Sequence, residues 1–281
     1  MYFFISRTGS NMAERSFVWH FVWHMEYLDA CFKGGFFLSR EDYARLAEMI
    51  RESENTVVFT GAGISTSCGL PDFRGKSGIW KDRDPSQLAS VEAMESSSDE
   101  FYSFYCHRIE LLEGVTFGRG HEILSEWEKK GLIKGLITQN VDGLHQRAGS
   151  QNVAEIHGSL SRVKCRRCGT FFPASDLLRS QRCEKCGGRL RPDVVLFGEM
   201  LPVEQLRYAQ DLSEGCDLFI VLGSSLQVSP ANWFPMEAKN TGAQLVIVNL
   251  QETPFDDIAD VVISGNIDEI LEQVESKLSS T

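Results

Sequence analysis

Five short apolar runs constrain this chain more than any other feature. They are 56–60, Leu136-Ile137-Thr138, Leu218-Phe219-Ile220-Val221-Leu222, Leu245-Val246-Ile247-Val248 and Val261-Val262-Ile263. Each is continuously apolar rather than alternating, as in strands buried on both faces. Helical patterns at 99–113, 121–130 and 202–214 separate them. Another helix opens at the capping-box-like Ser39-Arg40-Glu41-Asp42 and runs to about Ser53. Strands alternating with helices build a parallel sheet covered on both sides. The expected fold is α/β, a Rossmann-like doubly wound parallel sheet. At 281 residues, the chain can bury one sizeable core plus a small satellite.

The first run breaks into glycines, as VVFTGAGIST. Gly61 and Gly63 after a strand let a backbone approach a phosphate, and the next helix, from about 64, offers its N–H groups. Thr66 stands where the third glycine of G-x-G-x-x-G belongs, so this turn alone is equally compatible with an ordinary strand-to-helix connection. Two further strand ends are polar: Gly223-Ser224-Ser225 and Asn249. Ligands of open α/β sheets bind at the carboxyl ends of strands, and three polar ends suit an extended nucleotide. An acidic residue about 20 positions on, which would hold the ribose in a dehydrogenase, is missing. In its place Pro71-Asp72-Phe73-Arg74-Gly75 reads as a covering loop.

Eight cysteines could signal a secreted disulfide scaffold, but four form Cys165-x-x-Cys168 and Cys183-x-x-Cys186. Paired C-x-x-C in a large acidic chain reads as an intracellular metal site. Four thiolates make a closed tetrahedral zinc centre with no position left for water, so the metal is structural, one per chain. Gly169, Gly187 and Gly188 permit tight knuckles. The pairs interrupt the strand–helix pattern at about 160–190, which makes this an inserted module. Lys164, Arg166, Arg167, Arg182 and Lys185 make it locally basic, read as solvated surface. The net charge of −11 argues against stable nucleic-acid or acidic-membrane partners. No apolar run reaches the roughly 18 residues of a spanning helix, and MYFFISRTGSNMAERS is a poor signal peptide. A cytoplasmic location is expected.

Polar residues concentrate after the second strand, in Gln139-Asn140-Val141-Asp142 and then His157-Gly158-Ser159. An Asn and an Asp at a strand end can fix an amide or a ribose, and a histidine can act as a base near neutral pH. Taken singly, each is as readily a capping or core polar group. Together, the segments GAGIS, PDFRG, TQNVDGLH, HGS, the two C-x-x-C pairs, RPDVVLFGE, GSSLQVSPA and NLQETPFDD resemble the sirtuin family, the NAD-dependent protein lysine deacylases. The resemblance spans about Thr56 to the C-terminus. It implies that NAD is a consumed co-substrate and that acyl-lysine proteins or peptides are the partners. Ala62, Thr66, Phe73 and Arg74 would line the nucleotide with Gly61 and Gly63. Gln139, Val141 and Asp142 would hold the nicotinamide ribose and carboxamide. Gly223, Ser224, Ser225, Asn249, Leu250 and Ile267 would take the remaining nucleotide. His157 would be the base, and Asn140, with Asp142, would complete the catalytic set. Val195 to Glu199, with Val195 and Phe197 as contacts, would offer a strand edge to an extended substrate.

On helix 99–113, Tyr105 and Arg108 are three apart and share a face. Arginine beside a phenol suits a carboxylate, and the placement resembles the Tyr-x-x-Arg of desuccinylase-type sirtuins. Gln87-Leu88-Ala89-Ser90 resembles the small-residue segment that widens their acyl pocket. Asp72 departs from their pattern and matches deacetylases. The expected activity is therefore deacetylation with desuccinylation. The alternatives are mono-ADP-ribosyl transfer and an NAD-sensing module without turnover. Residues 1–38, with the repeat FVWHFVWH, form an extension without assigned role, and 39–281 the catalytic domain.

Overall fold

The structure is a computed structural model that describes residues 40–73, 75, 78–79 and 84–280. The 1–38 extension with its repeat, the Ser39 cap and Arg74 lie outside the described residues. Nine strands occur among them: β1 Thr56–Thr60, β2 Gly135–Thr138, β3 Val153–Glu155, β4 Gly158–Cys165, β5 Phe171–Pro173, β6 Leu190–Val194, β7 Leu218–Leu222, β8 Gln244–Asn249 and β9 Val261–Ser264. The helices are α1 Arg40–Glu52, α2 Pro85–Ala89, α3 Val91–Ser96, α4 Ser98–Glu113, α5 Arg119–Lys129, α6 Leu144–Ala148, α7 Ser175–Arg179, α8 Val203–Gly215, α9 Trp233–Asn240 and α10 Ile267–Leu278. None of these helices is long and apolar enough to cross a membrane.

Six strands form one sheet in the order β3-β2-β1-β7-β8-β9, with every neighbouring pair parallel. The chain builds outward from β1 to β3, then returns to lay β7 on the other side of β1. That reversal is the switch point at which doubly wound folds bind ligands. Alternate residues of the central strands face opposite layers, because side chains alternate along a strand. Val58, Leu136, Ile220 and Val246 pack on Leu46 and Ile50 of α1, Ile123 and Trp127 of α5, and Ile270 and Leu271 of α10. Phe59, Ile137, Phe219 and Ile247 pack on Ala209 of α8 and Phe234 of α9. Each such side chain contributes about 1.5–3 kcal/mol by leaving water. Both faces are covered, so the runs have no polar alternation.

The remaining strands make an antiparallel sheet, β5-β4-β6, within residues 158–194. Helix α4 covers this module. Its Phe101, Tyr102, Tyr105 and Ile109 lie one helical face apart and join Leu160, Val163 and Leu190 in a third core cluster. The Tyr102 hydroxyl donates to the Leu190 carbonyl at 2.7 Å, which satisfies a buried phenol and ties α4 to the module. The segment after β1 is a 3-10 helix, Ala62–Cys68, not the α-helix expected from about 64.

Candidate active site and zinc centre

The β1 and β7 turns interlock at the switch point. Gly61 N–H donates to Leu222 O at 3.0 Å, Gly63 N–H to Gly223 O at 2.9 Å, and Gly223 N–H to Val248 O at 2.9 Å. A Cβ on Gly61 would lie 2.6 Å from Gly223 O, and one on Gly63 2.6 Å from the Gly223 Cα. Gly223 has φ +64°, the left-handed region that favours glycine. These glycines are therefore required by backbone-on-backbone packing, before any phosphate approaches. The sequence expectation weighed a phosphate against an ordinary strand-to-helix turn and did not foresee this contact.

Beside this lock opens a cavity of about 800 Å³. Gly61, Ala62, Gly63, Thr66, Phe73, Gln139, Asn140, Val141, Gly223, Ser224, Ser225, Asn249, Leu250 and Ile267 line it, with His157, Tyr105, Arg108, Val195 and Phe197. Asp142 lines a neighbouring cavity of about 350 Å³, which shares Ala62, Phe73, Arg108, Asn140 and Val141 with the first. The two cavities adjoin through these shared residues, with Asp142 on the side of the smaller one.

Hydrogen bonds fix the polar groups. The ring of His157 bonds through Nδ1 to the Gln139 carbonyl at 3.1 Å. A carbonyl only accepts, so Nδ1 carries the proton and Nε2 carries the lone pair, as a base requires. Gln139 in turn donates from Nε2 to Ser224 Oγ at 2.7 Å, linking the ends of β2 and β7. Asn140 is buried, and its Nδ2 donates to Gly61 O at 3.0 Å and Ser65 Oγ at 3.3 Å. Both amide protons are spent within the protein, so the amide oxygen is what Asn140 offers a ligand. Ser65 Oγ donates to Asp142 Oδ2 at 2.8 Å, and Asp142 Oδ1 accepts from Leu144 N at 3.0 Å.

Tyr105, Arg108 and Ala89 form part of the cavity wall. The Arg108 guanidinium carbon lies 5.3 Å from the Phe73 ring centroid, 5.6 Å from Phe104 and 5.9 Å from Tyr105. Burial lowers its pKa, against the attraction of Tyr105 and Asp142. Burial pushes the Tyr105 phenol up to about 12, with Arg108 pulling the other way. Neither head group has a hydrogen bond or salt bridge among the described residues, and both line the cavity.

The strand edge at Val195–Glu199 is narrower than the sequence implied. Val195 N–H donates to His157 O, Leu196 N–H to Glu199 Oε2, Phe197 N–H to Ala89 O and Glu199 N–H to Leu196 O, each at 2.9 Å. Phe197 O accepts from Val91 N at 3.1 Å. Among the described residues, the Gly198 N–H and the Val195, Gly198 and Glu199 carbonyls of this segment have no hydrogen-bond partner.

The four cysteines converge. Their sulfurs all lie within 4.8 Å of one another, with Cys165 to Cys186 at 3.5 Å and Cys168 to Cys183 at 3.8 Å. A tetrahedron of Zn–S bonds of about 2.3 Å has S···S edges near 3.8 Å, so the donors fit zinc. Arg167 N–H and Gly188 N–H point at the Cys165 and Cys186 sulfurs, each at 3.4 Å. Gly169 and Gly187 have φ +71° and +72°, as expected of tight knuckles. Two of the basic side chains serve the module itself, Arg167 donating to Cys186 O at 3.0 Å and Arg182 to Gly187 O at 3.3 Å, while Arg166 pairs outward with Glu95 on α3.

Sequence reasoning missed Ser65, which lines the smaller cavity, Asn266, which lines the larger, and His121, which packs on His145 behind them. Ser65 sits inside GAGIS, where its spacing from Gly61 was a usable signal. His121 and Asn266 belong to a helix and a cap with no motif of their own.

Comparisons with known proteins agree with this geometry. The model of the Sir2 family matches residues 61–230. An NAD-dependent protein deacetylase of Oceanobacillus iheyensis is 46% identical over 234 residues, covering 83% of this chain and 99% of that protein. One from Halalkalibacterium halodurans is 47% identical over 236 residues, covering 84% and 100%. A solved structure of a Sir2 variant with deacetylated p53 peptide and 3'-O-acetyl ADP ribose superimposes with a TM-score of 0.80 at 40% identity, covering 83% of this chain and 97% of that one. Fold, cavity and cysteine cluster converge on one conclusion: the chain belongs to the Sir2 family of enzymes.

Proposed function

We propose that this protein is an NAD-dependent protein-lysine deacetylase that also removes carboxylate-bearing acyl groups such as succinyl, in the cytoplasm. The observation that carries the deacetylase reading is that His157 and Asn140 share one cavity with the interlocked glycine turns. The nucleotide occupies the switch-point end, against Ala62, Thr66, Gly223, Ser224, Ser225, Asn249, Leu250 and Ile267, with Phe73 beside it. The nicotinamide end lies against Gln139, Val141 and Asp142. The acyl-lysine enters along Val195 and Phe197.

The acyl carbonyl oxygen attacks the ribose carbon as nicotinamide leaves. His157 Nε2 then takes a proton from a ribose hydroxyl, and that oxygen attacks the former amide carbon. One water is consumed overall, and the products are free lysine, nicotinamide and O-acyl-ADP-ribose. Positioned base assistance is worth about 10²–10⁴-fold. His157→Ala should lose turnover by roughly that factor while keeping its melting temperature; near-normal turnover would sink the assignment. Zinc, held by Cys165, Cys168, Cys183 and Cys186, supplies structure alone, because four thiolates leave no open coordination position.

The finer specificity rests on Tyr105 and Arg108. A half-buried cation and a buried phenol with no hydrogen bond or salt bridge among the described residues, beside small Ala89, suit a terminal carboxylate. Succinyl- and acetyl-lysine peptides assayed side by side test this.

A further inference from the structure

The seam between α5 and α6 holds buried polar groups that the proposed chemistry does not use. His145 is 1% exposed, Ser125 1% and Ser150 2%. Among the described residues, His145 Nδ1, Ser125 Oγ and Ser150 Oγ have no hydrogen-bond partner. They occupy one neighbourhood. A Cβ on Gly149 would lie 3.0 Å from Ser125 Oγ, and Ser150 N–H donates to the His145 carbonyl at 3.0 Å. His121, one turn before Ser125 on α5, packs its ring 4.8 Å from that of His145, tilted by 56°. An unpaired buried polar atom costs about 1–3 kcal/mol. Three in one place call for a shared partner, and a buried water makes about three such bonds.

The other nitrogen of His145 faces the end of β1. Its Nε2 lies 2.9 Å from Thr60 Oγ1, and Thr60 Oγ1 donates to Thr138 Oγ1 at 2.8 Å. Thr60 has one proton to give, so His145 Nε2 is the donor in the first bond. Thr138 Oγ1 then accepts the Asn140 backbone N–H at 3.0 Å. A column of hydrogen bonds thus joins the seam to the residue whose side chain faces both cavities.

We propose that Ser125, His145 and Ser150 bind one ordered water, and that His145, held neutral with its proton on Nε2, is a positioning residue for Asn140. The water donates to His145 Nδ1 and to one serine oxygen, and accepts from the other serine. The proposed link to catalysis rests on Asn140 serving the deacylase reading; the water and the tautomer do not.

Two measurements on the full chain test the site itself. A high-resolution crystal structure should show density within hydrogen-bonding distance of all three atoms. Nitrogen NMR should find the His145 ring protonated at Nε2 and bare at Nδ1. A dry seam, or a proton on Nδ1, overturns the proposal, whatever the activity. Kinetics test the positioning. His145→Leu should lower kcat about tenfold, the worth of about one hydrogen bond, with the KM for NAD changed less than about twofold. His145→Gln, which can still donate to Thr60, should recover most of the loss. Unchanged kcat in a folded His145→Leu protein, or no recovery with Gln, refutes the positioning role. If His145→Leu fails to fold, the Ser125→Ala/Ser150→Ala double variant decides. It should lose the density and shift the Nδ1 resonance, and an unmoved resonance counts against the site.

Discussion

Replacing Arg108 by methionine separates an acidic-acyl pocket from a merely structural arginine. The change keeps the stem and removes the guanidinium, which sits 5.3–5.9 Å from the Phe73, Phe104 and Tyr105 rings. A hydrogen bond to a charged group is worth about 1.5–3 kcal/mol. At about 1.4 kcal/mol per decade this spans roughly ten- to a hundredfold. The pocket is reached by solvent through the cavity, so water competes and the lower half of that range is expected. Cation–π contacts worth about 0.5–1 kcal/mol apiece are lost, but so is an arginine whose charged form burial disfavours. These effects oppose each other, so the melting temperature should move by only about 3 °C, the equivalent of about 1 kcal/mol at this size. Succinyl-lysine peptide kcat/KM should therefore fall about 10- to 30-fold, with acetyl-lysine turnover nearly unchanged. An equal fall on both substrates, or none on succinyl, would show that Arg108 does not read a carboxylate.

Other perturbations test the frame around the site. Gly223→Ala places a Cβ 2.7 Å from Gly63 Cα at φ +64°, which should destabilise by at least about 2 kcal/mol; a thermal melt within 1 °C of wild type would contradict the interlock. Cys165→Ser leaves three thiolates for a metal whose binding supplies on the order of 10 kcal/mol in small modules; elemental analysis should find well under one zinc per chain and the protein should be poorly soluble. Asp217 is raised by its burial, but the Ser53 hydroxyl and the Glu54 and Asn55 N–H groups outweigh this and lower its pKa. Its stabilising effect is thus full above the ordinary carboxylate pKa and fades as pH falls through the lowered folded value. Asp217→Asn should be less stable than wild type at neutral pH, and the two should converge in acid; a gap that is constant with pH would refute this.

The central strands were legible because burial on both faces wrote them as Val/Ile/Leu/Phe runs broken only by terminal threonines, and all five fall within one residue of their observed bounds. β3 was not, because Val153-Ala154-Glu155 is three residues at a sheet edge and carries no run. The 3-10 geometry of Ala62–Cys68 was hidden too, since its tightness comes from packing against Gly223 rather than from its own residues. The cysteine spacing announced the metal site, and the observed sulfur separations agree with it. Motif positions located His157 and Asn140, but not the bonds that fix their useful atoms. The Gln139 carbonyl that sets the His157 tautomer is a backbone group, invisible to any side-chain pattern. Nor could the sequence reveal that most N–H groups of Val195–Glu199 are already taken, because two of their partners lie at Ala89 and His157 and the other two depend on the local turn.

The central claim is that NAD is consumed in step with removal of an acyl group from lysine. Mass spectrometry of a reaction containing the protein, NAD and an acetyl-lysine peptide tests it most directly. The account predicts one nicotinamide and one O-acetyl-ADP-ribose for each lysine freed. Free acetate without nicotinamide, a peptide that gains ADP-ribose, or no turnover at all would contradict it.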